Sequence, residues 1–330
     1  MRLLVLGCGS IGKRHIRNLL SLKCGEIIAV DVDENKVRDM EKELSIQCYS
    51  SINNALSDGR YDAAFICTPP RYHVQQALLL LDNGLDCFIE KPLSHNLDGL
   101  EELLKKSKRE DKVVLIGYNL RFSALLRRIK EMIDRGAIGK LLSIRASVGY
   151  YLPYWRPNED YRKGYSARKE LGGGIVLDAS HEIDYVRLLA GEVKEVFAVC
   201  KKISSMEIDT EDFAEVIMYH TSGVYSQVHF DYLQTNYRRG CEIIGEAGTI
   251  IWDINERYCK LFTLSDKEYH VYYEGVNANI NDMYLEELQH FFRCLERKEK
   301  PHVDLIEGRR IQEIIEKIKK SSEEKRTLPV

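Results

Sequence analysis

The chain lacks the features that mark extracellular, membrane and nucleic-acid-binding proteins. Its 330 residues include only seven prolines and two tryptophans, which excludes a proline-rich or low-complexity tail. No apolar run approaches the roughly 20 residues of a membrane span. The first such run, Leu3–Leu6, is too short for a signal peptide and leads straight into glycines. Neither charge sign dominates: 48 basic and 51 acidic residues leave a net charge of −3, with no basic face suited to nucleic acid. The nine cysteines form no CxxC pair and no cluster with histidine, so a zinc site or a disulfide framework is not expected. Cys8, Cys24, Cys67 and Cys87 lie in or near apolar runs and read as small buried hydrophobes of a reducing compartment. Internal repeats and flexible linkers are also missing. The expectation is a cytoplasmic protein that binds neither membrane nor nucleic acid and holds no metal.

What remains is an ordinary globular composition, 44% hydrophobic and 30% charged, in a chain long enough for two domains. Up to about residue 118, short apolar runs alternate with amphipathic stretches. Leu3–Leu6, Ile27–Val30, Ala63–Cys67, Cys87–Ile89 and Val113–Ile116 suit strands buried on both faces of a parallel sheet. Between them, Val74, Ala77, Leu78 and Leu81 keep helical spacing. This alternation predicts a doubly wound domain over 1–120. Beyond it the rhythm changes. A helix over Phe122–Asp134 and a strand over Leu141–Val148 precede a polar, aromatic stretch, Tyr150–Glu170. From Val193 to Val271 strands follow one another without intervening helices, which predicts an α+β domain over 121–330 with a mainly antiparallel, open sheet. Two helices, near Met283–Leu295 and Leu305–Lys319, close the chain.

The first strand runs into Gly7-Cys8-Gly9-Ser10-Ile11-Gly12. GxGxxG alone is weak, but here it joins a strand to a helix. Gly7 permits the tight turn, Gly9 lets the backbone approach a pyrophosphate, and Gly12 lets helix and strand pack closely. The helix start at Ser10 and Ile11 offers amide N–H groups to phosphates. About 20 positions on, Asp31 ends the second strand, where a carboxylate accepts bonds from ribose hydroxyls and repels a 2′-phosphate. The pattern predicts NAD as cofactor. Arg14 and Lys36 leave NADP open.

Two more strands end in chemistry-bearing residues. One leads into Thr68-Pro69-Pro70 with His73 close behind, the other into Glu90-Lys91-Pro92. Open α/β sheets bind ligands at these carboxyl ends, so Thr68, Pro69, His73, Glu90 and Lys91 are candidate cofactor contacts. Lys91 can reach both nicotinamide and a substrate hydroxyl, and burial would lower its pKa. Its alternative is a solvated loop lysine. Further on, Gly172-Gly173-Gly174 opens a segment in which Asp178, His181 and Asp184 share one face if it is a single helix. An alcohol that loses hydride must also lose its hydroxyl proton. His181 can take that proton, Asp178 can orient the alcohol and Lys91 can stabilise the oxyanion. A capping Asp and a structural His are the plainer alternative.

Together these pieces resemble the Gfo/Idh/MocA family of oxidoreductases, which includes glucose–fructose oxidoreductase and inositol dehydrogenases. The resemblance spans essentially the whole chain: the glycine loop through His15, the strand ending at Asp31, Thr68 to His73, Glu90-Lys91-Pro92, Gly117 to Phe122, the 172–184 segment and Cys241 to Ile250. It implies hydride exchange between NAD(P) and a secondary alcohol or ketone of a sugar, sugar acid, nucleotide sugar or cyclitol. It also implies a homodimer or homotetramer. By position, Lys91, Asp178 and His181 match the family's catalytic residues, and Asn119 and Arg121 match a segment that lines the site. One departure weakens Asp178: family members carry three residues between that Asp and His, and this chain has two, Ala179 and Ser180. The loop around Arg156 and Tyr165 is similar to that of oxidoreductases of bacterial surface-glycan or nonulosonic-acid sugar pathways. There, arginines would chelate an anionic sugar and aromatic rings would stack on it. Two other readings stay open: an oxidoreductase acting on an imine, biliverdin or dihydrodiol, and a dinucleotide-binding sensor without activity.

Overall fold

The computed structural model describes residues 1–155, 157, 159–275 and 279–330. Its contacts separate into two compact units, Met1–Asn119 with Ile280–Arg309 and Leu120–Asn279 with Arg310–Val330.

The first unit alternates strand and helix: β1 (Arg2–Leu6), α1 (Ser10–Ser21), β2 (Glu26–Val30), α2 (Glu34–Leu44), β3 (Gln47–Tyr49), α3 (Ile52–Asp58), β4 (Ala63–Ile66), α4 (Pro70–Asp82), β5 (Asp86–Glu90), α5 (Leu100–Arg109) and β6 (Val114–Gly117). The six strands form one parallel sheet in the order β3-β2-β1-β4-β5-β6, the doubly wound arrangement. Leu3–Leu6 and Ala63–Ile66 are buried throughout, because helices cover both faces of such a sheet. β3 carries no hydrophobic period that a sequence reading can find, with one exposed and two half-exposed residues.

The second unit starts with α6 (Ala124–Asp134), β7 (Leu141–Gly149), α7 (Leu152–Trp155), α8 (Ile175–Asp178) and α9 (His181–Ala190). Strands β8 (Val193–Lys201), β9 (Phe213–His220), β10 (Tyr225–Asp231), β11 (Arg238–Gly245), β12 (Gly248–Asp253), β13 (Tyr258–Thr263) and β14 (Tyr269–Tyr273) follow. α6 starts two residues later than the hydrophobic pattern suggested, because the Ser123 hydroxyl caps it, accepting from Leu126 N–H at 3.3 Å. The chain closes with α10 (Ile280–Leu295), α11 (Leu305–Glu324) and β15 (Leu328–Pro329). The sheet has nine strands in the order β14-β13-β12-β11-β7-β10-β9-β8-β15, antiparallel except where β7 meets β10. α8 and α9 pack on it against β7, β9 and β10. On its other face Phe197, Ile217, Gln227, Arg145, Glu242 and Ile251 are cross-strand neighbours, exposed or half-exposed. The Ser321 and Ser322 hydroxyls of α11 accept from Ala198 N–H at 3.1 Å and Cys200 N–H at 2.7 Å, blunting the β8 edge beyond the short β15.

The domain boundary differs from the sequence expectation. The segment 280–309 joins the first unit rather than the second. The reason is packing. Leu288, Phe291 and Cys294 share one face of α10 and are fully buried in the core of the six-stranded sheet. The Phe291 ring lies 5.4 Å from Phe65 and 5.7 Å from Phe88, both edge-on. Burying one such ring contributes roughly 1.5–3 kcal/mol. Beyond α10, Ile116 N–H of β6 donates to Val303 O at 2.9 Å. Among the described residues no helix is long and apolar enough to cross a membrane, and no group of three His, Cys, Asp or Glu side chains could hold a metal.

Candidate functional site

In the first unit the site grows from the β1–α1 turn. Gly7 has φ +94°, a left-handed conformation that L side chains rarely adopt, and its N–H donates to Val30 O at 2.7 Å. A Cβ on Gly12 would stand 1.8 Å from the Gly7 carbonyl oxygen, so only glycine lets the helix start so close to the strand. Gly9 is different. Its backbone is ordinary, with φ −71°, and an added Cβ would meet no protein atom within 4 Å. No side chain caps α1 and no acid sits in its first turn, so the helix start at Ser10 and Ile11 keeps the positive dipole end that suits an anion. Asp31 reaches the turn before it. Its carboxylate accepts from Cys8 N–H at 2.7 Å and from Asp33 N–H at 2.9 Å, with Lys36 Nζ at 3.9 Å. Arg14 lies over the Tyr284 ring, 4.5 Å from its centre. Val32, beside Asp31, is 89% exposed, an apolar surface that no sequence pattern singled out.

Two loops stand at the ends of β4 and β5. The Thr68 hydroxyl donates to Gln76 Oε1 at 2.6 Å, and Pro69 precedes the first residue of α4. His73 is buried, with Nε2 2.7 Å from Thr68 O and Nδ1 2.9 Å from Pro92 O. Burial pushes its pKa down against the pull of those carbonyls. His73 thus ties the two loops together through both ring nitrogens. Glu90 Oε1 lies 2.6 Å from His15 Nε2, and its Oε2 accepts from Lys91 N–H at 3.1 Å. Lys91, half-buried, follows directly and precedes a cis Pro92. Behind this pair sits Glu287 of α10, fully buried, its carboxyl held well above the usual carboxylate range by burial and then by Glu90. The sequence reading missed His15 and Glu287 as partners of Glu90.

In the second unit the glycine triplet is shaped by the protein itself. A Cβ on Gly173 would lie 2.2 Å from Tyr165 O, and one on Gly174 would lie 2.3 Å from Glu211 Oε1. The single helix expected after it is two. α8 ends at Asp178 and α9 begins at His181, joined by tighter turns in which Ser180 N–H bonds Leu177 O at 3.3 Å and Glu182 N–H bonds Ala179 O at 3.2 Å. Asp178, His181 and Asp184 therefore do not line one continuous helical face. Asp184, fully buried, is clamped by Arg121 through Nε at 3.0 Å and Nη2 at 2.6 Å. That bidentate pair commits the guanidinium of Arg121, a predicted substrate contact, to the protein. Glu182 and Arg239 form a second such pair, at 2.7 and 3.0 Å.

Asp178 and His181 are both buried. Asp178 Oδ2 accepts from the Tyr232 hydroxyl at 2.5 Å. Around Tyr232 gather aromatic rings: Tyr150 lies 5.7 Å from it and 4.4 Å from Trp155. Burial and then the nearby Asp178 push the Tyr150 phenol well above its usual pKa, so it stays protonated and can donate. Tyr165 sits half-buried in a 3₁₀ turn next to these groups. Arg162 of the same loop is held by Asp160 at 2.8 Å and Glu207 at 3.2 Å. Asn119 is buried at the head of a 3₁₀ turn over Asn119–Phe122. Arg156 lies outside the described residues.

A parallel doubly wound sheet with this cradle, followed by an open mixed sheet, defines a two-unit dinucleotide-binding oxidoreductase. Residues 1–118 match the oxidoreductase family with an NAD-binding Rossmann fold, and 126–251 match the GFO/IDH/MocA C-terminal domain. The chain belongs to the GFO/IDH/MocA family of oxidoreductases. It is 29% identical to a myo-inositol 2-dehydrogenase of Thermotoga maritima, over 99% of this chain and 98% of that one. Two solved structures share the fold. Levoglucosan dehydrogenase in complex with NADH has a TM-score of 0.89 at 19% identity, covering 100% and 99% of the two chains. The WlbA dehydrogenase from Bordetella pertussis, in complex with NADH and UDP-GlcNAcA, has 0.84 at 21%, covering 100% and 98%.

Proposed function

We propose that this protein is an NAD-dependent dehydrogenase that moves hydride between nicotinamide and a ring secondary alcohol of a neutral cyclitol or sugar. The observation that carries the reading is Gly9. The protein leaves open the space where a side chain would stand, at an uncapped helix start and one residue from Cys8, whose N–H the Asp31 carboxylate holds. A pyrophosphate and a ribose diol fit this donor and acceptor set. Gly7, Gly9, Ser10, Ile11, Gly12 and Asp31 would hold the dinucleotide, with Thr68, Pro69, Glu90 and Lys91 towards its nicotinamide end. When bound, NAD supplies the hydride acceptor. Within the protein, His181 takes the proton of the reacting hydroxyl, Asp178 fixes that hydroxyl's direction, and the Lys91 ammonium lowers the energy of the developing oxyanion.

A neutral substrate is favoured over the carboxylated sugar anticipated from the arginine-rich loop. Of the loop's arginines Arg162 faces Asp160 and Glu207, and outside the loop Arg121 and Arg239 face Asp184 and Glu182, which weakens the pull of all three on an anion. Likeness to a full-length myo-inositol dehydrogenase supports the same choice. Nicotinamide absorbance with a panel of inositols, hexoses, uronic acids and nucleotide-linked sugars tests the reading. Turnover with a neutral ring polyol is expected, and Lys91→Ala should cut it by roughly 10²–10⁴-fold while NADH still binds. Equal turnover in that variant would remove Lys91 from the chemistry.

We further infer a homo-oligomer, assembled through the open sheet face that carries Phe197, Ile217 and Ile251. Light scattering on the purified protein should give a multiple of the 38.2 kDa chain mass, and a monomer would refute it. Nine free thiols fit a reducing, cytoplasmic setting.

A further inference from the structure

Asp178 stands where α8 ends, its own N–H still donating to Gly174 O at 3.0 Å. It is the last residue of α8, and Ala179 after it leaves helical conformation with φ −100° and ψ 28°. Its carboxylate is met by the side chain of Tyr232. Tyr232 follows β10 directly and is fully buried. Its backbone is fixed at both ends: its N–H donates to Asp212 O at 2.9 Å, and its carbonyl accepts from Leu152 N–H at 3.1 Å. Its ring packs against Tyr150, and its hydroxyl donates to Asp178 Oδ2 at 2.5 Å. Burial and then the neighbouring Asp178 push the Tyr232 phenol well above its usual pKa, so it remains a donor at any working pH. A rigidly mounted phenol thus faces the Asp178 carboxylate at the end of α8.

We propose that Tyr232 is a positioning residue that aims the Asp178 carboxylate, doing for this chain what helix continuity between Asp178 and His181 does not. The proposal rests on the dehydrogenase reading for its consequence in turnover. The orientation of Asp178 can be observed without it. A partner of this kind acts through geometry: losing it removes the hydrogen bond that directs Oδ2, and outer supports of this type commonly change activity 10–100-fold.

The test is a cycle of Tyr232→Phe, Asp178→Asn and the double variant, with a crystal structure of Tyr232→Phe. Phenylalanine keeps the ring and its packing, so folding is checked by melting and NADH affinity should be unchanged. The expected results are a turned Asp178 side chain and a roughly 10–100-fold fall in kcat/KM, carried mostly by kcat. In the Asp178→Asn background the same change should cost nothing further. A carboxylate that keeps its direction without the hydroxyl overturns the proposal. So does an equal loss in both backgrounds, since Tyr232 would then act independently of Asp178. If Asp178→Asn alone left turnover intact, the role of Asp178 in the reaction would fall, and the crystal structure would still decide whether Tyr232 positions it.

Discussion

Both units carry a glycine-rich turn that opens a helix, and the two turns use glycine for opposite reasons. At 172–174 the demand comes from inside. Gly174 has φ +111°, and its missing Cβ makes room for the carboxylate of Glu211. At 7–12 two glycines answer to the chain in the same way, but Gly9 has an ordinary φ and open space where a Cβ would be. A glycine that the protein does not need points to a ligand. A glycine that the protein does need points only to close packing. The letters alone make the two loops look alike; the neighbours separate them.

The largest effect that can break this contrast is at Gly174. Alanine there meets a disfavoured backbone conformation and displaces the half-buried carboxylate of Glu211, so Gly174→Ala should destabilise the protein by about 2–4 kcal/mol. Chemical denaturation measures this, and an unchanged midpoint would mean the turn relaxes freely. Gly9→Ala should do the reverse. Its stability should stay within about 1 kcal/mol of wild type, because the conformation suits alanine and nothing is in the way. NADH titration should nevertheless show roughly tenfold weaker binding, about 1.4 kcal/mol. Intact affinity would take the dinucleotide away from Gly9.

The smallest effect sharpens the inner case through pH. Burial raises the Glu211 pKa, with Lys319 pulling the other way. The folded protein therefore holds a proton that the unfolded chain releases above about pH 4.3, and stability falls as pH rises from there towards the folded value. Glu211→Gln removes that proton uptake. The variant should be more stable than wild type at neutral pH, with the difference shrinking as pH drops to about 4. A constant difference across that range would show that Glu211 is not a buried titrating group.

Much of the first unit was legible from letters. Leu3–Leu6, Ile27–Val30 and Ala63–Ile66 are short apolar runs, and a strand covered on both faces needs no more pattern than that. Hydrophobic period and turn chemistry are local, so a linear reading recovers them, down to the glycine loop and Asp31. The reading failed where a residue's role depends on what lies opposite. Met283–Leu295 looked like a closing helix of the second domain, yet its Phe291 belongs beside Phe65 and Phe88 in the first. His73 resembled a ligand contact and is a brace between two carbonyls. Arg121 resembled a substrate clamp and is bound to Asp184.

By itself, then, the sequence determined the doubly wound alternation and the glycine-rich strand-to-helix turn, because each is written within a few consecutive positions. Only the tertiary structure decided which of those side chains are held by others. Glu90 meets His15 across 75 positions and Asp178 meets Tyr232 across 54. Hydrogen bonds and ion pairs of that span leave no period in the chain, since their energy depends on geometry that exists only after the sheets have formed.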